Sequence, residues 1–390
     1  MNRNKRLEVR FDGRFVGTLA LVESGPDQNK VAFEYGEEWL QNGFSINPFS
    51  LPLRKGVFIP QNRSFGGLFG AFGDALPDSW GKLLVDRMLV SQGINPDEIG
   101  ILDRLSIVGT SGMGALTFHP EETFKTTVSD TDFDKLADLC SKILLSKPVD
   151  DLDTVFLMGG SSGGTRPKVL AVADGEDWLV KFRATNDPKN FGKQEFDYAV
   201  CAAACGINMP PHKLFPSKKC DGYFGIKRFD REKDKDGKTK RIHMLSVAAL
   251  LELDFNAPSA DYNDLMKLTR ILTRENRQDV EDMYRRMCFN VFAHNRDDHT
   301  KNFSFLFDEK QSVWRLSPAY DLTYSTTYFG EHTTSVNGNG ADPTKEDLLA
   351  VGTKAGLSKQ WCTSTAESIQ STVNSYLKVY LKKRNAHSPI

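Results

Sequence analysis

Apolar and polar positions alternate from the start of the chain. Leu7, Val9 and Phe11 share one face of a strand, and the turn pair Asp12-Gly13 leads into a second apolar-rich arm over residues 15–22, the pattern of a hairpin. The period of two returns at residues 31–35, and another strand is expected around residues 50–53. Near residue 78 the period lengthens to that of a helix: Pro77, then Asp78 and Ser79 as cap candidates, precede an apolar face over residues 80–90. Residues 106–118, carrying Gly109, Gly112 and Gly114, read as loop plus strand. Residues 119–153 are charged and loop-rich around one short helix at 132–145, which places a domain boundary near Pro120.

Two strands are expected next, at 169–173 and 178–182 with Asp174-Gly175 between them, then a helix over 194–205 and a strand over 223–230. The charged run 231–241 reads as a solvated loop. From there helical periodicity dominates, at 244–253, 262–273, 280–293, 345–355 and 363–382, interrupted by an alternating hairpin at 303–316. The chain thus passes from a strand-rich first part to a helix-rich second one.

The densest polar run, His294-Asn295-Arg296-Asp297-Asp298-His299-Thr300-Lys301-Asn302, sits on the turn between the 280–293 helix and that hairpin. Arg296-Asp297 and Asn302 reproduce the R-D-x-x-x-x-N spacing of a kinase catalytic loop. There an Asp orients the attacking hydroxyl and accepts its proton, and an Asn oxygen holds Mg²⁺ on the phosphates. A solvated loop rich in turn-forming Asn and Asp has the same letters, so the spacing alone leaves both readings open. The hairpin would return the chain to bring Asp321, at the end of Leu316-Ser317-Pro318-Ala319-Tyr320-Asp321, opposite Asn302 as a second metal ligand.

Upstream, Gly159-Gly160-Ser161-Ser162-Gly163-Gly164 precedes the strand pair. Glycines let backbone N–H groups approach phosphates, and such clusters also serve as flexible turns. It is not a Walker A loop, since Pro167-Lys168 leads into a strand. Lys181 ends the second strand as the phosphate-contacting lysine of kinases does. Glu195, in the helix that follows, is either its ion-pair partner or an exposed residue favoured by the helix dipole. Lys227 and Phe229 stand where a kinase reads adenine. The glycines of residues 65–73 are interleaved with Phe and read as packing.

The stretch Asp297-x-His299-x-Lys301-Asn302-Phe303-Ser304, followed by Leu316 to Asp321, resembles the HipA toxin kinases of bacterial type II toxin–antitoxin modules. Residues 72–78 and 112–118 resemble the small N-terminal domain of that family, and 333–340 its post-catalytic segment, so the resemblance covers nearly the whole chain. It implies an α+β fold: a small β-rich N-terminal domain over residues 1–120, and a two-lobed protein-kinase-like core over 121–390 with a small β-rich lobe at 121–232 and a large helical lobe at 233–390. It further implies a serine/threonine kinase that uses ATP and Mg²⁺ and phosphorylates a translation-related protein such as an aminoacyl-tRNA synthetase. A small helix-turn-helix antitoxin, HipB-like, would sequester it, and the complex would sit on operator DNA. By motif position Asp297 is the catalytic base, Asn302 and Asp321 hold metal, and Lys181 contacts phosphate. Gly160, Ser161, Ser162, Gly163, Gly164, Lys168, Glu195, Lys227, Phe229, His299 and Lys301 complete the nucleotide site, with Ser161 the serine whose autophosphorylation silences the enzyme.

The chain departs from the family's pattern in two places. Asp298 stands where Gly is common, an added carboxylate expected to alter metal occupancy or acceptor choice, and Met244-Leu245-Ser246 replaces a more polar Gln-Glu-Asp. Two rival classes remain: a phosphohydrolase whose metal is held by His294, Asp297, Asp298 and His299, and a silent co-repressor that keeps the fold and binds an antitoxin on DNA.

Composition narrows the partners. The 390 residues carry 50 Lys+Arg against 51 Asp+Glu, a net charge of -1, so no overall basic field draws nucleic acid and any DNA contact is local or delegated. The basic tail at 378–387 reads as a solvated helix end or a phosphate contact. Six cysteines lack C-x-x-C and metal-ligand spacing, and Cys201 and Cys205 share a helix face as small buried side chains, which fits a reducing compartment. Without a signal h-region or a long apolar run, a cytoplasmic protein free of the membrane is expected.

Overall fold

The computed structural model describes every residue except 1–3, 123–131, 148, 150–151, 160–163, 258, 328–329 and 386–390, and gives residues 153, 157 and 383–385 by their backbone alone. The chain divides into two compact units, Met1–Lys189 with Phe215–Asp254, and Asn190–Leu214 with Phe255–Ile390. Each is mixed in its secondary structure.

The first unit begins with β1 (Arg6–Phe11) and β2 (Arg14–Leu21). Asp12 and Gly13 between them have φ of 48° and 79°, the left-handed geometry whose twist suits a two-residue hairpin. β3 (Val31–Tyr35), α1 (Glu37–Asn42), β4 (Val57–Phe58) and β5 (Leu116–His119) follow, and the antiparallel sheet runs β4-β3-β2-β1-β5. The strand expected around 50–53 is absent: Asn47 and Leu51 form only an isolated bridge, and the edge strand is β4. Pro48 precedes that segment and Pro52 lies within it, and neither can donate to a ladder. α2 (Gly70–Gly73), α3 (Ser79–Ser91) and α4 (Ile101–Val108) lie between β4 and β5. The loop expected from residue 106 therefore begins inside a helix, whose start at Gly100 is closed by the Asp103 carboxylate accepting from the Gly100 N–H (3.1 Å).

α5 (Phe133–Leu144), the short helix expected there and capped by Asp132, and α6 (Leu152–Gly159) lead to a second sheet. α6 occupies residues that read as the approach to a glycine loop. The sheet is ordered β6 (Lys168–Ala173), β7 (Glu176–Lys181), β9 (Tyr223–Lys227), β8 (His212–Phe215). Trp80, Leu84 and Met88 of α3, Leu136, Cys140 and Ile143 of α5, Val155 and Phe156 of α6, and Val169, Val180 and Tyr223 of the sheet form one buried cluster. α3 and the second sheet thus share a core.

β9 stops at Lys227, three residues short of the expected strand. Beyond it the charged run is not simply solvated, since β10 (Arg231–Lys233) and β11 (Thr239–Arg241) pair as a hairpin. Asp230, just ahead of that hairpin, is wholly buried and takes Arg228 (2.9 and 2.7 Å), Arg231 (2.8 Å) and the Gly114 N–H (2.8 Å). Burial alone would raise this carboxyl, but the guanidiniums outweigh it and hold the pKa at about 2. The helix expected at 244–253 splits into β12 (Met244–Ser246) and α8 (Val247–Leu251), because Ser246 acts as the N-cap and accepts from the Ala249 N–H (3.1 Å).

In the second unit α10 (Arg277–Phe292) packs against α9 (Tyr262–Leu272), α11 (Lys345–Lys354) and α12 (Lys359–Tyr376). α7 (Phe191–Ala204) and α13 (Lys378–Asn385) lie against α12, and the Tyr380 hydroxyl of α13 donates to Asp197 of α7 (2.5 Å). Buried Leu377 separates α12 from α13, where one helix was expected. β13 (Ala260–Asp261) pairs in parallel with β16 (Thr334–Ser335), and β14 (Ser304–Asp308) with β15 (Val313–Leu316) makes the expected hairpin. No helix among the described residues is long and apolar enough to cross a membrane.

Candidate active site

α10 ends in a reversal that launches the polar loop. The Asn295 N–H returns to the Asn290 carbonyl (2.9 Å) and the His294 N–H points to that of Val291 (3.4 Å), with His294 at φ 54° where glycine is usual. Burial and the nearby Arg296 guanidinium push the His294 imidazole below its ordinary pKa. The strand-like residues after the turn are stitched to the segment beyond Asp321: Arg296 N–H donates to Ser325 O and Ser325 N–H to His294 O, each 3.1 Å.

Arg296 and Asp298 are both fastened, on either side of Asp297. The Arg296 carbonyl accepts from the Thr333 N–H (3.0 Å) and hydroxyl (2.9 Å), and its guanidinium donates to the Gly330 carbonyl. Asp298 is 0% exposed. Its carboxylate accepts from the Tyr262 hydroxyl (2.9 Å) and the Thr334 N–H (3.2 Å) and lies 2.9 Å from His332 Nδ1. Its carbonyl takes the Thr334 hydroxyl (2.5 Å). Between these anchors the Asp297 side chain is 57% exposed, with His299 Nε2 3.9 Å from its Oδ1. Asp298, expected to alter metal occupancy or acceptor choice, has a carboxylate that faces inward and is held by three groups. The rival cluster of His294, Asp297, Asp298 and His299 fails for the same reason. Among the described residues no three His, Cys, Asp or Glu side chains gather to hold a metal.

Asn302 Nδ2 donates to the Asp297 carbonyl (2.7 Å). The Tyr320 hydroxyl donates to the Lys301 carbonyl (2.8 Å) and meets the Ser304 hydroxyl at 2.5 Å, so the residue before Asp321 is tied to the residue before Asn302. Asp321 itself has φ 54°. Its approach is fixed by buried Arg286, which bonds Asp282 of its own helix and the Ser317 carbonyl (2.5 Å), and by the Ala319 N–H on the Asn208 carbonyl (2.8 Å). Lys301 Nζ lies 4.2 Å from the centroid of Phe255, and His299 caps the turn at Thr300–Asn302.

In the first unit Lys168 and Lys181 are directly opposite on β6 and β7, and both are buried. Facing like charges destabilise a ladder unless neighbouring groups offset them. Gly164, at φ 90°, has a backbone conformation that strains any other residue, and a Cβ there would lie 2.5 Å from Nζ at the flexible end of Lys168. Its N–H donates to Asp78, and its carbonyl accepts from the Trp80 N–H (3.1 Å). The Asp78 side chain thus serves the loop, while its carbonyl accepts from the Lys82 N–H (3.0 Å) as the N-cap of α3. Gly160, Ser161, Ser162 and Gly163 lie outside the described residues. Arg166 is engaged with Asp187 (3.0 Å). Lys227 pairs with Glu176 (2.9 Å) across β7 and β9, and Phe229 is half-buried. In the second unit Glu195 is 4% exposed, which removes the exposed-carboxylate alternative.

Sequence reading missed Tyr262, Asn290, Asn295, His332 and Thr334. Asn290 Nδ2 donates to the Tyr262 hydroxyl and its Oδ1 accepts from Asn295 Nδ2, each 2.9 Å, so a buried polar chain runs from α10 to Asp298. No local pattern signals Tyr262 or His332, since their partners are 28 to 36 positions away in sequence for Tyr262 and 34 for His332.

Residues 7–119 match the family model of the HipA N-terminal domain, and residues 160–377 that of the HipA-like C-terminal domain. Two curated proteins of Sinorhizobium fredii are similar. "Putative kinase Y4mE" is 28% identical, covering 83% of this chain and 78% of its own length, and "Putative kinase Y4dM" is 25% identical, covering 97% and 92%. Among solved structures, a chain of the Shewanella oneidensis MR-1 complex of HipA, HipB and operator DNA has the same fold, with a TM-score of 0.70 and 19% identity over 98% of this chain and 92% of that one.

Proposed function

Because the chain belongs to the HipA family, we propose that it is an ATP- and Mg²⁺-dependent serine/threonine protein kinase. In this reading it is the toxin of a toxin–antitoxin module and phosphorylates a translation-related protein, such as an aminoacyl-tRNA synthetase, in the cytoplasm. The observation that carries the reading is the exposed Asp297 carboxylate held between two fastened neighbours, with Asn302 bonded to its carbonyl and Asp321 tied in through Tyr320. Residues 1–120 form the N-terminal domain and 121–390 the kinase-like core, with lobes at 121–232 and 233–390.

Each residue then has one task. Asp297 orients the acceptor hydroxyl and takes its proton. The Asn302 amide oxygen and the Asp321 carboxylate are hard oxygen donors of the kind Mg²⁺ prefers, and their number leaves room for phosphate oxygens and water. Mg²⁺ bound there would offset charge building on the transferred phosphoryl group. Lys181 and Lys168 hold phosphate oxygens, with Glu195 the counter-charge that kinase order assigns to Lys181. His299 and Lys301 extend the nucleotide site along the loop, and Lys227 and Phe229 border the adenine. A HipB-like antitoxin and its operator DNA are the expected partners, since the Shewanella relative was solved with both.

Ser161 is the proposed off-switch. A phosphoryl group there would add about -1.5 to -2 charge at neutral pH and repel the nucleotide's phosphates. Arg166 would have to leave Asp187 to pair with it. Peptide mapping after incubation with Mg-ATP is expected to find phosphate on Ser161 together with lost nucleotide affinity. A phosphorylated protein that binds ATP as before, or one modified only at Ser162, would contradict the switch.

A further inference from the structure

We propose that Asp298 and His332 are a buried positioning pair for Asp297, through which the segment after Gly330 sets the rate of phosphoryl transfer without touching the nucleotide; this rests on the kinase reading above. A buried carboxylate is tolerated when donors surround it. The donors to Asp298 come from three places: Tyr262 at the start of α9, His332, and the Thr334 N–H. Thr333 and Thr334 also hold the carbonyls of Arg296 and Asp298, the residues on either side of Asp297. The Asp297 backbone is thereby clamped from both ends by one short segment.

That segment is itself anchored. The His332 N–H donates to the Gly340 carbonyl (2.8 Å), Thr334–Ser335 forms β16 against β13, and Asp261 accepts from the Ser335 hydroxyl (2.6 Å) and the Gly338 N–H (2.7 Å). His332 is the member of the clamp that joins it to Asp298 by a side chain on both sides. Its Nδ1 is the contacting atom, and the ring is buried. Displacing a reacting group by about 1 Å can slow a reaction about 100-fold, so loss of this contact acts on the chemical step.

His332→Leu and His332→Asn in the full chain test the proposal, because an Asn amide N–H can occupy the place of Nδ1–H and a Leu side chain cannot. Four quantities are read: turnover at saturating Mg-ATP, Mg-ATP affinity, melting temperature, and amide exchange of peptides spanning 294–303. His332→Leu is expected to lower turnover about 10- to 100-fold and to speed exchange in that loop alone, with nucleotide affinity unchanged. His332→Asn is expected to restore most of both. Wild-type turnover and exchange in His332→Leu would overturn the proposal. So would a joint loss of melting temperature, affinity and turnover that His332→Asn does not repair, since that is a general structural role. A wild-type protein that binds Mg-ATP but transfers no phosphate contradicts the kinase reading instead, and loop exchange in the two variants then decides the positioning claim by itself.

Discussion

Three adjacent residues, Arg296, Asp297 and Asp298, show how neighbours in sequence are sorted by their partners. Arg296 and Asp298 are fastened by groups from 330–334, while Asp297 presents its carboxylate. The spacing of Asp297 to Asn302 was legible because kinase chemistry needs those two types at that interval. The inward turn of Asp298 was not, since a two-residue Asp-Asp string does not say which side chain meets buried donors far along the chain. Asn302 and Asp321 give a residue-scale prediction. Replacing either by Ala is expected to raise the Mg²⁺ concentration needed for nucleotide binding while metal-free ATP binding holds, as read by titrating a fluorescent nucleotide at several Mg²⁺ levels. An unchanged Mg²⁺ requirement in both variants would remove them as ligands.

At the scale of elements, α10 links stability to the site. Arg286 at its middle holds the Ser317 carbonyl ahead of Asp321, and its end forms the reversal at His294. Its first turn carries a liability. Burial, opposed by Arg315, pushes the Asp279 carboxyl up to about 6, and its Oδ2 is buried without a hydrogen-bond partner among the described residues. For an acid whose folded pKa lies above the unfolded 3.8, the folded state holds the proton more tightly. Its contribution to stability is therefore lost as pH rises from about 4 through about 6. Asp279→Asn is thus expected to melt higher than wild type at pH 7.5 and to lose that advantage near pH 4. Equal shifts at both values would show that the carboxylate is solvated. Long periodic elements such as α3, α9 and α10 were legible from apolar spacing. The absence of the strand expected at 50–53 and the split at Ser246 were decided instead by single residues, prolines that cannot pair and a serine that caps.

Across the whole molecule, periodicity announced a strand-rich part followed by a helical one, but not which elements share a core. The buried cluster joining α3 to α5, α6 and β6–β7 depends on Trp80 and Leu84 reaching residues about a hundred positions away in sequence, beyond any local pattern. Function at this scale is a cellular property. Strong expression without a partner is expected to slow growth, co-expression of the cognate helix-turn-helix protein to relieve it, and Asp297→Asn to relieve it without one. Growth rates under induction check this, and normal growth with active protein present would count against a toxin.

The central claim is that Asp297 serves phosphoryl transfer, and the most direct measurement is phosphate incorporation from Mg-ATP by purified wild-type, Asp297→Asn and Asp298→Asn proteins, read by intact mass beside nucleotide affinity. Wild type is expected to gain phosphate. Asp297→Asn is expected to transfer at least about 100-fold more slowly while binding Mg-ATP normally, and Asp298→Asn to be slowed but active. Near-full activity in Asp297→Asn, with the loss falling on Asp298→Asn alone, would contradict the account.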